Sequence, residues 1–168
     1  MALNGSVMKR ALILALMAAA VVVGRAEEEK AEQDKEVEHL LYPFEVTLGG
    51  QKAVMQEGNM LFAVVEKPVK PDAVLALEEQ SAMLIVNAFP CEEDGTVLET
   101  QTAAVIFAKD TREVKLNATI DKKPLVPGTY LMNVVAHSKT SRVVFTVGEP
   151  GKIKLPDLSK IFNFLKNK

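Results

Sequence analysis

At 168 residues, 48% of them hydrophobic and 25% charged, the chain has the composition of a globular protein with apolar material for one core. Its 20 basic and 22 acidic residues give a formal charge of −2, a balance that argues against a nucleic-acid partner. A single cysteine, Cys91, excludes an internal disulfide, so the stability of the fold must come from packing.

The N-terminal segment carries the clearest address. Lys9 and Arg10 precede an unbroken apolar run over residues 11–23, which closes on Gly24-Arg25-Ala26 with small residues at both ends of the triplet. A basic start, a short apolar stretch and a small-x-small site form the pattern of a secretory signal peptide over residues 1–26. The run is too short for a bilayer core, which needs about 20 apolar residues in a helix. Met8 offers an alternative start that gives a more compact signal. No cysteine follows the segment closely, so lipid attachment there is excluded. The expectation is a protein secreted or periplasmic after cleavage, soluble, with 17 basic against 22 acidic residues and a formal charge of −5 from Glu27 onward. Residues 27–41 read as an acidic linker or solvated helix without an apolar stripe, seven acids standing against Lys30 and Lys35 by position 38.

From Tyr42 the pattern changes to short apolar alternation. Phe44, Val46 and Leu48 share one face, and Gly49-Gly50 before a second run around Val54 predicts a tight hairpin. After a turn at Glu57-Gly58-Asn59, residues 60–65 form an apolar run of strand length, and Pro68 and Pro71 place it at an edge or crossing. Residues 73–77 and 82–89 predict two further strands, the second apolar on both faces and therefore central. An acidic turn over residues 90–95 follows, then a long run over 97–108 with a bulge expected near Gln101. Val114, Leu116, Ala118 and Ile120 alternate with polar residues, which predicts a strand with one buried and one wet face.

Pro127-Gly128 makes a corner, and the runs that follow, to His137 and then to Val147 across a polar turn at residues 138–141, predict a terminal antiparallel hairpin. The spacing Leu125-x-Pro127-Gly128-x-Tyr130 resembles the tyrosine corner of immunoglobulin-like and fibronectin-type domains, in which a tyrosine hydroxyl bonds back to the backbone upstream. The resemblance implies an all-β chain: a single immunoglobulin-like antiparallel β-sandwich over residues 42–147, of the kind found in bacterial exported modules. The chain departs from antibody-type domains in having no tryptophan and no cysteine pair, with Met132 two residues after the tyrosine.

Residues able to carry chemistry are few. His39 lies in the acidic linker and His137 at a hairpin end, neither within a metal-ligand or triad pattern. Glu92-Glu93-Asp94-Gly95 is a local cluster of hard oxygen ligands but lacks the alternating acidic spacing of a calcium loop. Those acids also disfavour a thiolate at Cys91, which reads as unpaired and inert. Asn117-Ala118-Thr119 fits a glycosylation sequon but falls within the alternating run.

The tail carries the strongest interaction signal. Beyond a flexible linker from residue 148, Leu158, Ile161, Phe162 and Leu165 fall on one helical face, with Pro156 and Asp157 at the start and lysines near the end. A helix this short is marginal in water and must dock, on its own domain, on a partner protein or on an anionic membrane. Those four apolar residues with Lys160 and Lys166 are the candidate interaction residues. No cofactor or metal is expected. The resulting expectation is an exported, non-enzymatic module that binds or assembles at the cell envelope, with an envelope protein or the membrane surface as partner. The rival is a small carbohydrate- or metal-binding domain, or an enzyme, with its site in the loop from Cys91 to Gly95.

Overall fold

A computed structural model describes residues 42–168; the predicted signal peptide and acidic linker lie outside the described residues. The described chain is all-β with one short helix. In order, the elements are β1 (Val46–Leu48), β2 (Gln51–Lys52), β3 (Val54–Met55), β4 (Ala63–Val64), β5 (Val74–Cys91), β6 (Ala104–Lys115), β7 (Gly128–Ala136), β8 (Lys139–Val147) and α1 (Leu158–Lys166).

The strands form one connected sheet in the order β2-β1-β5-β7-β8-β4-β3, with β6 on the other edge of β5. β5 organises it. Its first residues pair with β1 and its last seven with β7, both along one edge, while β6 runs along the other. The two ends of the path, β2 and β3, flank Ala53 in one short segment, so Lys52 pairs with β1 while Val54 pairs with β4. That segment curls the sheet nearly into a barrel. Val46, Leu48, Leu75, Leu84, Val86, Ile106, Met132, Val134 and Phe145 fill the inside and are buried. A second row crosses the outside: Val64, Val144, Leu131 and Phe89 follow one another on β4, β8, β7 and β5 by register, the first three buried.

Several local expectations hold. Gly49 and Gly50, at φ of 59° and 77°, make the two-residue β1–β2 turn, the left-handed pair that matches strand twist in tight hairpins. The Pro-Gly corner is also built as expected. Tyr130 is buried and its hydroxyl donates to Val126 O at 2.7 Å, while its ring stacks on Phe145 with centroids 5.6 Å apart. Tyr130→Phe is expected to cost about 1–2 kcal/mol, the scale of a hydrogen bond lost from a buried site; urea denaturation checks it, and an unchanged midpoint would mean that the hydroxyl holds nothing.

Other boundaries differ, for identifiable reasons. The runs at residues 73–77 and 82–89 belong to one 18-residue strand, because residues 77–80 bulge out of the β5–β6 ladder instead of turning the chain back. β6 continues through residues 109–112, three of them charged, because they lie on a sheet edge where charge does not interrupt pairing. The alternating run beginning at Val114 is not a strand beyond Lys115. Lys115 faces Val74, the first residue of β5, so the ladder ends there: Ala118 N turns back to Lys115 O, and Ile120 N makes a single bond, to Val105 O on β6. Asn117 is consequently exposed in a loop. Residues 97–102 are likewise largely loop, with Val97 bridging to Cys91. The last turn sits at His137 and Ser138, both at positive φ, and β8 begins at Lys139 rather than after Ser141. Finally, β4 runs parallel to β8, so the sheet is mixed.

Candidate functional site

The C-terminal helix is capped as its sequence implies. Asp157 accepts a hydrogen bond from Ser159 N at 3.0 Å and Lys166 stands in the last turn, which places an acid and a base at the favourable ends of the dipole. Ile161 and Leu165 are fully or almost fully buried, Leu158 and Phe162 are partly covered, and Lys160 and Lys166 face solvent. The apolar stripe therefore docks on its own domain. Leu165 and Phe164 share a cavity of about 100 Å³ with Phe89, Val97 and Leu131, so the helix lies against the outer row of the sheet. Asn133 Oδ1 is buried there without a hydrogen-bond partner, beside Arg142, whose pKa burial pushes down.

The acidic turn serves as the helix's mount. Gly95, at φ 90°, is buried so closely against the start of α1 that a Cβ would stand 2.3 Å from Asp157 O. Asp94 pairs with Lys160, and Glu99 with Lys168. Cys91 is the last residue of β5 rather than part of the turn, and its thiol is pushed up to about 11 by burial, partly offset by a hydrogen bond from the Leu131 backbone. Burial, rather than the neighbouring acids, is thus what disfavours a thiolate at Cys91.

The hydrogen bond to Lys160, and after it the bonds from Thr96, hold the Asp94 carboxyl down to about 2 from an ordinary 3.8. A carboxylate depressed in the folded state adds stability that is complete above its unfolded pKa and is lost as pH falls through the folded one. The contact between α1 and the turn is therefore expected to be intact above about pH 4 and to weaken toward pH 2. Amide exchange at Gly95 and along α1, followed against pH, checks this; protection unchanged down to pH 2 would deny the pair a role.

A second feature sits at the β5 bulge. Leu77, Glu78 and Glu79 line a cleft of about 390 Å³ with Pro43, Phe44, Glu45 and His137. Its walls are fixed by one long-range and one local set of bonds. Ser141 Oγ donates to Phe44 O at 2.7 Å and accepts from Phe44 N, and Tyr42 Oη accepts from Val46 N at 2.7 Å. The His137 and Phe44 rings meet in a T-shaped arrangement with centroids 6.0 Å apart, and His137 N donates to Ser81 Oγ. Glu45 pairs with Lys52 rather than turning into the cleft as a free acid. Among the described residues no three His, Cys, Asp or Glu side chains are placed to hold a metal ion.

The third feature was not anticipated. On β5, Leu84, Val86 and Ala88 point inward, and Met83, Ile85, Asn87 and Phe89 point outward. Cross-strand pairing extends the outward face to Phe107 and Val105 on β6 and to Val135 on β7. α1 covers the Phe89 end of this face. At the other end Met83 and Phe107 each remain 48% exposed, with Ile85, Val105 and Val135 half-buried between them. The signal was present in the sequence, since residues 82–89 are apolar on both faces, but that pattern is equally the mark of a fully buried strand. Comparisons with protein-family models, curated proteins and solved structures find no match to this chain.

Proposed function

We propose that the chain is an exported, non-enzymatic module of the immunoglobulin-like class that acts by binding or assembly at the cell envelope, through the open outer face around Met83 and Phe107. The exposed apolar face carries this reading: two large apolar side chains half in water, on strands whose opposite face is packed, cost solubility unless something covers them. The signal-peptide pattern of residues 1–26 supports export, and the Tyr130 corner supports the immunoglobulin-like class. An envelope protein or the membrane surface is the partner. Docking of α1 moves the binding role from the helix's apolar stripe to the sheet.

A second reading, a small carbohydrate binder, draws on the bulge cleft, whose volume lies in the range of small-molecule sites and whose walls offer carboxylates beside an aromatic ring. The loop at residues 91–95 gives it less support, because that loop is occupied in mounting α1. The export half of the proposal is tested by the intact mass of protein taken from its native host. A product beginning at Glu27 is expected outside the cytoplasm; a product that retains Met1 or Met8 would refute it.

A further inference from the structure

β6 is paired on one side only. Among the described strands it hydrogen-bonds to β5 alone, which leaves its outer edge open. Near the start of that edge Val105 O accepts from Ile120 N at 2.8 Å, and further along the Thr111 hydroxyl donates to Glu113 O and accepts from Glu113 N. Phe107 and Lys109 share the parity of Val105, so their backbone groups also face away from β5.

Over this edge the sequence reads Lys109-Asp110-Thr111-Arg112-Glu113, and Lys109, Asp110, Arg112 and Glu113 are exposed. The order of charges is its own complement when reversed. We infer that β6 pairs antiparallel with β6 of a second copy of this chain, about a two-fold axis through Thr111. Lys109 then stands opposite Glu113 of the other copy and Asp110 opposite its Arg112, and the two-fold repeats each pair. Directly opposed side chains in an antiparallel pair lie within contact distance, and opposite charges there stabilise while like charges destabilise.

The charges also select the register. Slipping by one step sets Lys109 against Arg112 in one direction and Asp110 against Glu113 in the other. Slipping by two sets Asp110 against its own copy, or Arg112 against its own copy. An edge protected from association carries charges that repel a second copy, lysines above all; this one carries charges that repel every neighbouring register and favour one. At its flank Phe107 comes opposite Lys115, and within one chain Lys109 Nζ already lies 5.8 Å from the Phe107 ring. Asp110, at φ 49°, bends the strand, and the Thr111 hydroxyl holds the Glu113 backbone groups that a partner strand would take over. The ladder is thus short, the interface belongs to the small size class, and the dimer is reversible. The inference goes beyond the binding role proposed above, since the dimer forms or fails in solution whatever the outer face binds.

Sedimentation equilibrium of the processed chain tests it, with K109E and E113K made separately. Both changes are at exposed positions, and circular dichroism shows whether each variant folds. The wild-type chain is expected to dimerise reversibly and less strongly as salt rises. Each single variant turns two attractive pairs into repulsive ones and is expected to weaken dimerisation by at least about tenfold. An equimolar mixture of the two variants restores opposite charges at both positions and is expected to form the heterodimer. A wild-type chain that stays monomeric, single variants that dimerise like wild type, or a mixture that fails to recover would each overturn the pairing. The same variants leave Met83 and Phe107 in place, so envelope retention measured alongside separates a failed dimer from a failed binding role.

Discussion

Removing residues 157–168 is expected to lower the melting temperature by about 10 °C, the shift that about 2–4 kcal/mol produces in a domain of this size. The deletion takes away no strand, but it uncovers Leu131 and Phe89 on the outer row and discards the burial of Ile161 and Leu165. Each of those side chains is worth about 1.5–3 kcal/mol when buried, and the entropy of ordering the helix offsets part of it. Ile161→Ala is expected to lose about 2–4 kcal/mol by the same contact, in the range of large-to-small core changes. Its loss cannot exceed that of the deletion, because a sufficiently weakened helix simply undocks. Differential scanning calorimetry of both variants checks the pair; a deletion that leaves the melting temperature unchanged would show that α1 adds nothing to the domain.

The second large effect is expected at Gly95. Alanine there would carry φ 90°, strained by about 1–2 kcal/mol, and would push its Cβ into the Asp157 carbonyl. Backbone stands on both sides of that contact, so either the acidic turn or the start of the helix must move. Gly95→Ala is therefore expected to destabilise the full chain by about 2–4 kcal/mol, close to the loss on deleting the helix. In the chain lacking residues 157–168 only the backbone strain remains, and the cost is expected to fall to about 1–2 kcal/mol. The difference between the two backgrounds measures the mount itself. Equal costs in both would assign the whole effect to the turn and none to the helix contact.

What could be read in the sequence was whatever a short window encodes. The stripe of Ile161 and Leu165 with Asp157 ahead of it, the Gly49-Gly50 turn and the Tyr130 corner each depend on residues within a few positions of one another, and each appears in the structure. The errors came where a distant partner decides. Alternation from Val114 to Ile120 was compatible with a strand, but β5 begins at Val74 and leaves Ala118 nothing to pair with. Residues 73–77 and 82–89 read as two strands because nothing local shows that Glu78, Glu79 and Gln80 bulge within one strand, whereas the neighbouring β6 ladder does. The barrel-like closure has no local signal at all, since it depends on the two sides of Ala53 pairing with different strands.

The site was legible only in part for the same reason. The apolar helix face could be recognised, but whether it met a partner or its own sheet depended on the row of Val144, Leu131 and Phe89, residues contributed by three strands. The cleft at the bulge sets His137 against Phe44, whose backbone Ser141 holds across 97 residues of chain. Met83 and Phe107 belong to runs that reason from pattern alone would bury.

The binding role assigned to the outer face is tested most directly by envelope retention in the native host, comparing the wild-type chain with the double variant Met83→Glu, Phe107→Ser. Both positions are half exposed and neither belongs to the inner core, so the variant is expected to melt as the wild type does. Loss of the variant from the envelope fraction into the soluble exported fraction is the predicted result. Equal retention of the two proteins, with equal melting temperatures, would contradict it.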